Sequence, residues 1–122
     1  MGLTYKIDVE HGIVRTRGWG IISAQEIEEH MTRKLVDPRF DPAFRSLFVV
    51  SEVINLDIST ISLAQLAATP IYDGGARHAI LATRDVVYGI ARMYASYIAR
   101  FGQEVRVFRQ RDMAEAWIAE GV

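Results

Sequence analysis

The chain has 122 residues, half of them apolar, with 14 basic and 15 acidic side chains and a formal net charge of −1. That length suits one domain with a core of its own, and the balance of charge argues against a broad electrostatic grip on nucleic acid. The absence of cysteine excludes disulfides, thiolate zinc sites and cysteine nucleophiles.

The chain opens with "YKIDVE", in which Tyr5, Ile7 and Val9 alternate with Lys6, Asp8 and Glu10, the pattern of a half-buried strand. His11-Gly12 reverses the chain and "IVRTRGW" resumes a β-rich run, so a hairpin is expected. Ser23 and Glu26 stand at capping-box spacing for a helix beginning near Ala24, with Ile27, Met31 and Leu35 as its apolar row. Asp37-Pro38 ends it, because proline disfavours helix in the residue before it. "DPRFDPAFR" reads as a loop, and "SLFVV" as a short strand covered on both faces.

In "NLDISTISL", hydroxyl-bearing residues separate that strand from a helix carrying Leu63, Leu66 and Ala67, with Pro70 closing it and Ser62 with Gln65 as a further capping box. "YDGGAR" is a turn and "HAILAT" another buried strand. From Asp85 to about Phe101 runs the longest helical pattern. Ile90, Tyr94, Tyr97, Ile98 and Phe101 form a stripe, Ala91, Ala95 and Ala99 a line of small residues, and Arg92, Ser96 and Arg100 a polar line; Gly102 stands where a C′ glycine is favoured. "EVRVF" is a strand, and "RDMAEAWIAE" a terminal helix with Asp112 and Glu115 near its positive end. The order is β-β-α-β-α-β-α-β-α. It predicts an α/β fold: a mixed, mostly parallel five-stranded sheet with an N-terminal antiparallel hairpin and four helices, spanning residues 1–122 as one domain.

Reactive chemistry is sparse. The three histidines, His11, His30 and His78, include no pair at the i, i+4 spacing of a helical metal site, and each reads as a surface or packing residue. No nucleophile motif of the G-x-S-x-G kind occurs. "GWG" at 18–20 lacks the third glycine of a dinucleotide loop, Ser23 standing there, and reads as a turn that lets the chain leave its strand, with Trp19 on the sheet. "GG" at 74 and 75 reads equally as a turn. Arg106, Arg109 and Arg111 have no wider basic field behind them, so no nucleic-acid partner is expected. No apolar run approaches the ~20 residues needed to span a bilayer, so no membrane insertion is expected. The first residues carry neither a signal peptide nor a myristoylation pattern, which makes cytoplasmic residence the expectation.

Taken with "DPRFDPAFRSLFVVSEV", the stretch "GARHAILATRDVVYGIARMYASYIARFGQEVRVFRQRDMAEAWI" resembles the bacterial SpoIIAA-like proteins, also described as STAS/CRAL-TRIO-like domains. The resemblance covers nearly the whole chain and rests on structural motifs. It implies a mixed sheet with packed helices, frequent homodimers and no general catalytic activity. The namesake relatives are anti-sigma-factor antagonists, switched by phosphorylation of a serine in a D-S-S-G-like turn before a helix. Asp57 and Ser59 match the aspartate and the phosphoacceptor; Ile58 and Thr60 stand where that turn has serine and glycine. Ser59 serves equally as a helix cap, the commoner use of such a residue.

The expectation is therefore a non-enzymatic, cofactor-free domain acting through protein association, as a homodimer and with a regulatory partner. Its surface would include the turn at Asp57, Ser59 and Thr60, through Ser62, and the helix from Val86 to Phe101, whose broad apolar cover asks for a second surface. The alternative is a binder of a small apolar molecule or lipid, with Tyr88, Met93, Tyr94 and Tyr97 lining an enclosed cavity of a few hundred Å³.

Overall fold

In the computed structural model, which describes residues 2–120, strands and helices follow the order read from the sequence. The strands are β1 (Leu3–Asp8), β2 (Ile13–Ser23), β3 (Arg45–Asp57), β4 (Arg77–Leu81) and β5 (Glu104–Phe108). The helices are α1 (Ala24–Val36), α2 (Thr60–Ala68), α3 (Asp85–Ala99) and α4 (Arg111–Glu120). Strands pair in chain order, β1 antiparallel to β2 and every later pair parallel, which gives the expected mixed sheet.

This strand order decides where the helices lie. The connections β2 to β3, β3 to β4 and β4 to β5 each join adjacent parallel strands, and such crossovers are overwhelmingly right-handed. Stepping always in one direction across the sheet, they deliver α1, α2 and α3 to the same face. The terminal α4 covers the other. The core divides accordingly. Leu47, Ala79 and Leu81 pack with Ala114, Trp117 and Ile118 beneath α4. Val50, Val53 and Ala82 pack with Ile22 and Val87 on the opposite face, joined by the half-buried Ile27, Phe48 and Ile80. Alternate residues of β3 thus serve different layers, as strand pleating dictates.

Local chemistry fixes the ends of α1. The Glu26 amide donates to Ser23 Oγ at 3.2 Å, and the Ser23 amide donates to Glu26 Oε1 at 3.2 Å, a complete capping box. At the other end the Asp37 carboxylate accepts from Arg39 and, at 3.0 Å, from the Tyr5 hydroxyl, tying the helix exit to β1. Hydrogen bonds from the Arg39 side chain and amide hold this carboxyl well below its ordinary range.

Several local expectations change. Val9 lies in the hairpin turn and is exposed, because the strand ends at Asp8. "GWG" is not a turn but part of β2, whose pairing with β3 shifts register between Arg17 and Trp19 and again between Gly20 and Ile21, the extra residue lying in β3 each time. Gly18 is needed for packing: a Cβ there would stand 2.8 Å from Ile22 Cδ1. Gly20 supplies a φ of 73°. Ser62 does not cap α2; Ser59 does, and Ser62 lies in the first turn. Helix α3 stops at Ala99, with Gly102 at a φ of 80° beyond it. Its buried residues are Val87, Ala91 and Ile98, while Ala99 and Phe101 are exposed, so the buried stripe is narrower than the composition implies.

Candidate functional site

In the apolar row Ile27, Met31 and Leu35 of α1, Leu35 is exposed, and the buried residues of the helix are His30 and Lys34. Residues four apart advance about 400°, so an unbroken i+4 row rotates off the inner face within two steps, whereas i, i+3, i+4, i+7 stays centred on it. Ile27, His30, Met31 and Lys34 fit that centred set. Histidine and lysine score as polar, so hydrophobicity alone does not mark them as part of this face.

These residues border a cavity of about 140 Å³ between α1, α2, α3 and the sheet. Leu63, Leu66, Ala91 and Ile98 supply apolar wall from the helices, and Phe48 and Ile80 from the strands. Polar groups are set into this wall from separate elements: Thr16 from β2, Ser46 from β3, His78 from β4, and Tyr72 from the loop before β4. The register accounts for part of this, since Ser46 and His78 are direct partners on adjacent strands and so share a face.

The polar groups are only half paired. His30 Nε2 is 3.4 Å from Thr16 Oγ1, and His78 Nδ1 is 2.7 Å from Ser46 Oγ. The second ring nitrogen of each, His30 Nδ1 and His78 Nε2, is buried without a partner among the described residues, as is the Tyr72 hydroxyl. The Tyr72 ring packs on His78, with centroids 4.3 Å apart, and its backbone carbonyl accepts from the Gln103 side-chain Nε2 at 2.9 Å. Burial first, then the Lys34 charge, pushes His30 down to about 3 and His78 down to about 4, so both imidazoles are neutral near pH 7. Burial lowers Lys34 to about 8, which leaves it a cation at that pH. Burial also raises Tyr94 to about 12 and is the main cause raising Tyr72, against a lowering from the neighbouring Ser46 hydroxyl.

Of the residues expected to line a ligand cavity, Tyr94 does so; Tyr88, Met93 and Tyr97 are not among its walls. Tyr88 instead lies beneath the Arg109 guanidinium, 4.1 Å from its ring centre, and Met93 is exposed. The cavity is also smaller than expected. In the turn, Asp57, Ser59 and Thr60 are exposed and not among its walls, although Ile58 between them is, and Ser59 Oγ accepts from the Ser62 amide at 3.0 Å. His11 stays in the hairpin turn, bonded to Asp8 at 2.8 Å.

No protein-family model matches the chain, and no curated protein matches it. Among solved structures it is similar to an uncharacterized protein of the DUF3478 family from Shewanella loihica PV-4, which has a SpoIIAA-like fold. The two share 15% identity and a TM-score of 0.60, over 96% of this chain and 94% of that one. The likeness shows the SpoIIAA-like fold. No helix among the described residues is long and apolar enough to cross a membrane.

Proposed function

We propose that this domain holds a small, largely apolar molecule in the cavity between α1–α3 and the sheet, without turning it over. The observation behind this is the set of three buried polar atoms without a hydrogen-bond partner among the described residues, His30 Nδ1, Tyr72 Oη and His78 Nε2, in the wall of an apolar cavity. An unsatisfied buried polar group costs roughly 1–3 kcal/mol, and folded proteins keep few of them. A molecule with hydrocarbon along one side and polar atoms at one end satisfies the wall and the cluster together. The volume, about 140 Å³, matches a benzene-sized guest rather than a full lipid chain. Binding is favoured over catalysis by the Ser46–His78 pair, whose imidazole has no carboxylate behind it among the described residues.

Native mass spectrometry of protein purified from its own host tests this directly. The expected result is a retained small molecule released on unfolding. A bare chain that also shows no NMR perturbation at cavity residues with any benzene-sized probe would remove the proposal.

A second reading, association with a protein partner or a second copy, draws support from the exposed Ser59 at the start of α2. A phosphate there would meet the free amides and the positive end of the helix dipole. In this reading the domain is a STAS-type switch in the cytoplasm and forms a homodimer. Sedimentation equilibrium is expected to show a dimer; a monomer up to the highest soluble concentration would count against it.

A further inference from the structure

We infer that the cavity's ligand is a small monocarboxylate, its carboxylate held by Lys34 Nζ and its hydrocarbon part filling the apolar remainder. This rests on the ligand-binding reading above and names the chemical class of the guest. Lys34 is the one charged side chain among the described residues lining the cavity, and no aspartate or glutamate lines it. The residue is only 5% exposed. A buried ammonium is ordinarily paired with an anion, because taking it out of water unpaired is costly. The polar groups facing the cavity from other elements are Thr16, Ser46, Tyr72, His78, Tyr94 and Gln103, and none is an anion near neutral pH. The missing counter-charge is therefore left to the ligand.

The neighbouring groups are suited to the same acceptor. If the Thr16 and Ser46 hydroxyls donate to the imidazoles they touch, the hydrogens of the neutral rings sit on His30 Nδ1 and His78 Nε2, the two partnerless nitrogens. With the Tyr72 hydroxyl these make a set of neutral donors on residues that line the same cavity as Lys34. One cation with neutral donors balances one negative charge, whereas a phosphomonoester brings close to two. The small volume and apolar walls select a short aliphatic or single-ring body.

Paired probes of equal hydrocarbon size test the assignment: hexanoate against hexanol, and benzoate against benzyl alcohol. Binding to the full chain is followed by NMR at pH 7, in wild type and in Lys34→Met. The wild type is expected to bind each acid about tenfold or more tightly than its alcohol, the range of a hydrogen bond to a charged group. Lys34→Met is expected to abolish that preference by weakening the acids while leaving the alcohols as they were. Alcohols binding as tightly as acids in wild type, or a preference that survives Lys34→Met, would overturn the carboxylate assignment and leave the cavity reading standing. Inorganic phosphate perturbing the same resonances as strongly would also overturn it. If neither member of either pair reaches cavity residues, the ligand-binding reading fails and this inference with it.

Discussion

The Lys34 ammonium lies 5.6 Å from the centre of the Tyr72 ring, and that aromatic face gives it electrostatic support in the cavity. A cation over a ring contributes about 0.5–2 kcal/mol, less than the several kcal/mol that burying an ammonium costs. The C-terminal end of α1 offsets some of the rest, since Lys34 lies in its last turn. In ligand-free protein, Lys34→Met is therefore expected to raise stability by roughly 1–3 kcal/mol, read from urea midpoints at pH 7. A gain in stability joined to a loss of ligand is the signature of a residue retained for binding.

Protonation gives a second test. The unfolded chain takes up protons at His30 and His78 near 6.5, while the folded chain resists until about 3 and about 4. Their contribution is whole above pH 6.5 and falls as pH drops toward 4, at about 1.4 kcal/mol per pH unit for each histidine fully in its window. Carboxylates held low in the fold, among them Asp37, Glu26 and Glu52, begin to lose their stabilisation around unfolded values of 3.8 and 4.5, so they overlap only the acid end of this range. Lys34 acts on the alkaline side. The folded chain releases its proton near 8 and the unfolded chain near 10.5, so stability rises with pH above 8 until the tyrosines begin to titrate near 10. Urea titrations from pH 4 to 9.5 should show both slopes, the alkaline one vanishing in Lys34→Met.

Much of this fold could be read from local pattern. The Ser23–Glu26 box, the stop at Pro38 and the alternation of apolar runs with helical stripes name the elements, and adjacent right-handed crossovers then place three helices on one face. The site was far less legible. His30 and Lys34 belong to the inner face of α1 only once the sheet shows which face is inner, and Tyr72 reaches the cavity from a loop. Their polarity, the property that makes them useful, also removed them from any list of apolar positions. Tyr88 and Tyr97 share a helix with Tyr94 yet stay off the cavity wall, which hydrophobicity alone does not foretell.

Filling the cavity separates occupancy from stability. Ala91 is buried on its α3 wall. Extending this side chain to leucine would ordinarily strain a packed core by about 1–3 kcal/mol. Here the added carbons have room, so Ala91→Leu is expected to leave the thermal midpoint unchanged or higher while excluding the ligand. Calorimetry with and without the hexanoate probe reads both.

Gly18 offers the contrasting case of a site with no room. Its missing Cβ would meet Ile22 at 2.8 Å and both Leu3 and Val53 at 3.2 Å. Ile22 and Val53 are fully buried and Leu3 is only 7% exposed, so none of the three has solvent to retreat into. Gly18→Ala is expected to cost about 1–3 kcal/mol in urea unfolding.

Ser59 allows the cap and the switch to be told apart. Its Oγ accepts from the Ser62 amide at 3.0 Å and donates to Ser62 Oγ at 3.0 Å, so α2 already depends on it for capping. Ser59→Ala removes the acceptor and should cost about 1 kcal/mol. Ser59→Asp keeps an acceptor and adds a negative charge at the positive helix end, so it should be neutral or slightly stabilising. If the residue is only a cap, the self-association of Ser59→Asp, measured by sedimentation, will match that of wild type. A change in association without a change in stability would instead assign Ser59 to a contact surface, because the fold would have tolerated the charge and only a partner would have felt it.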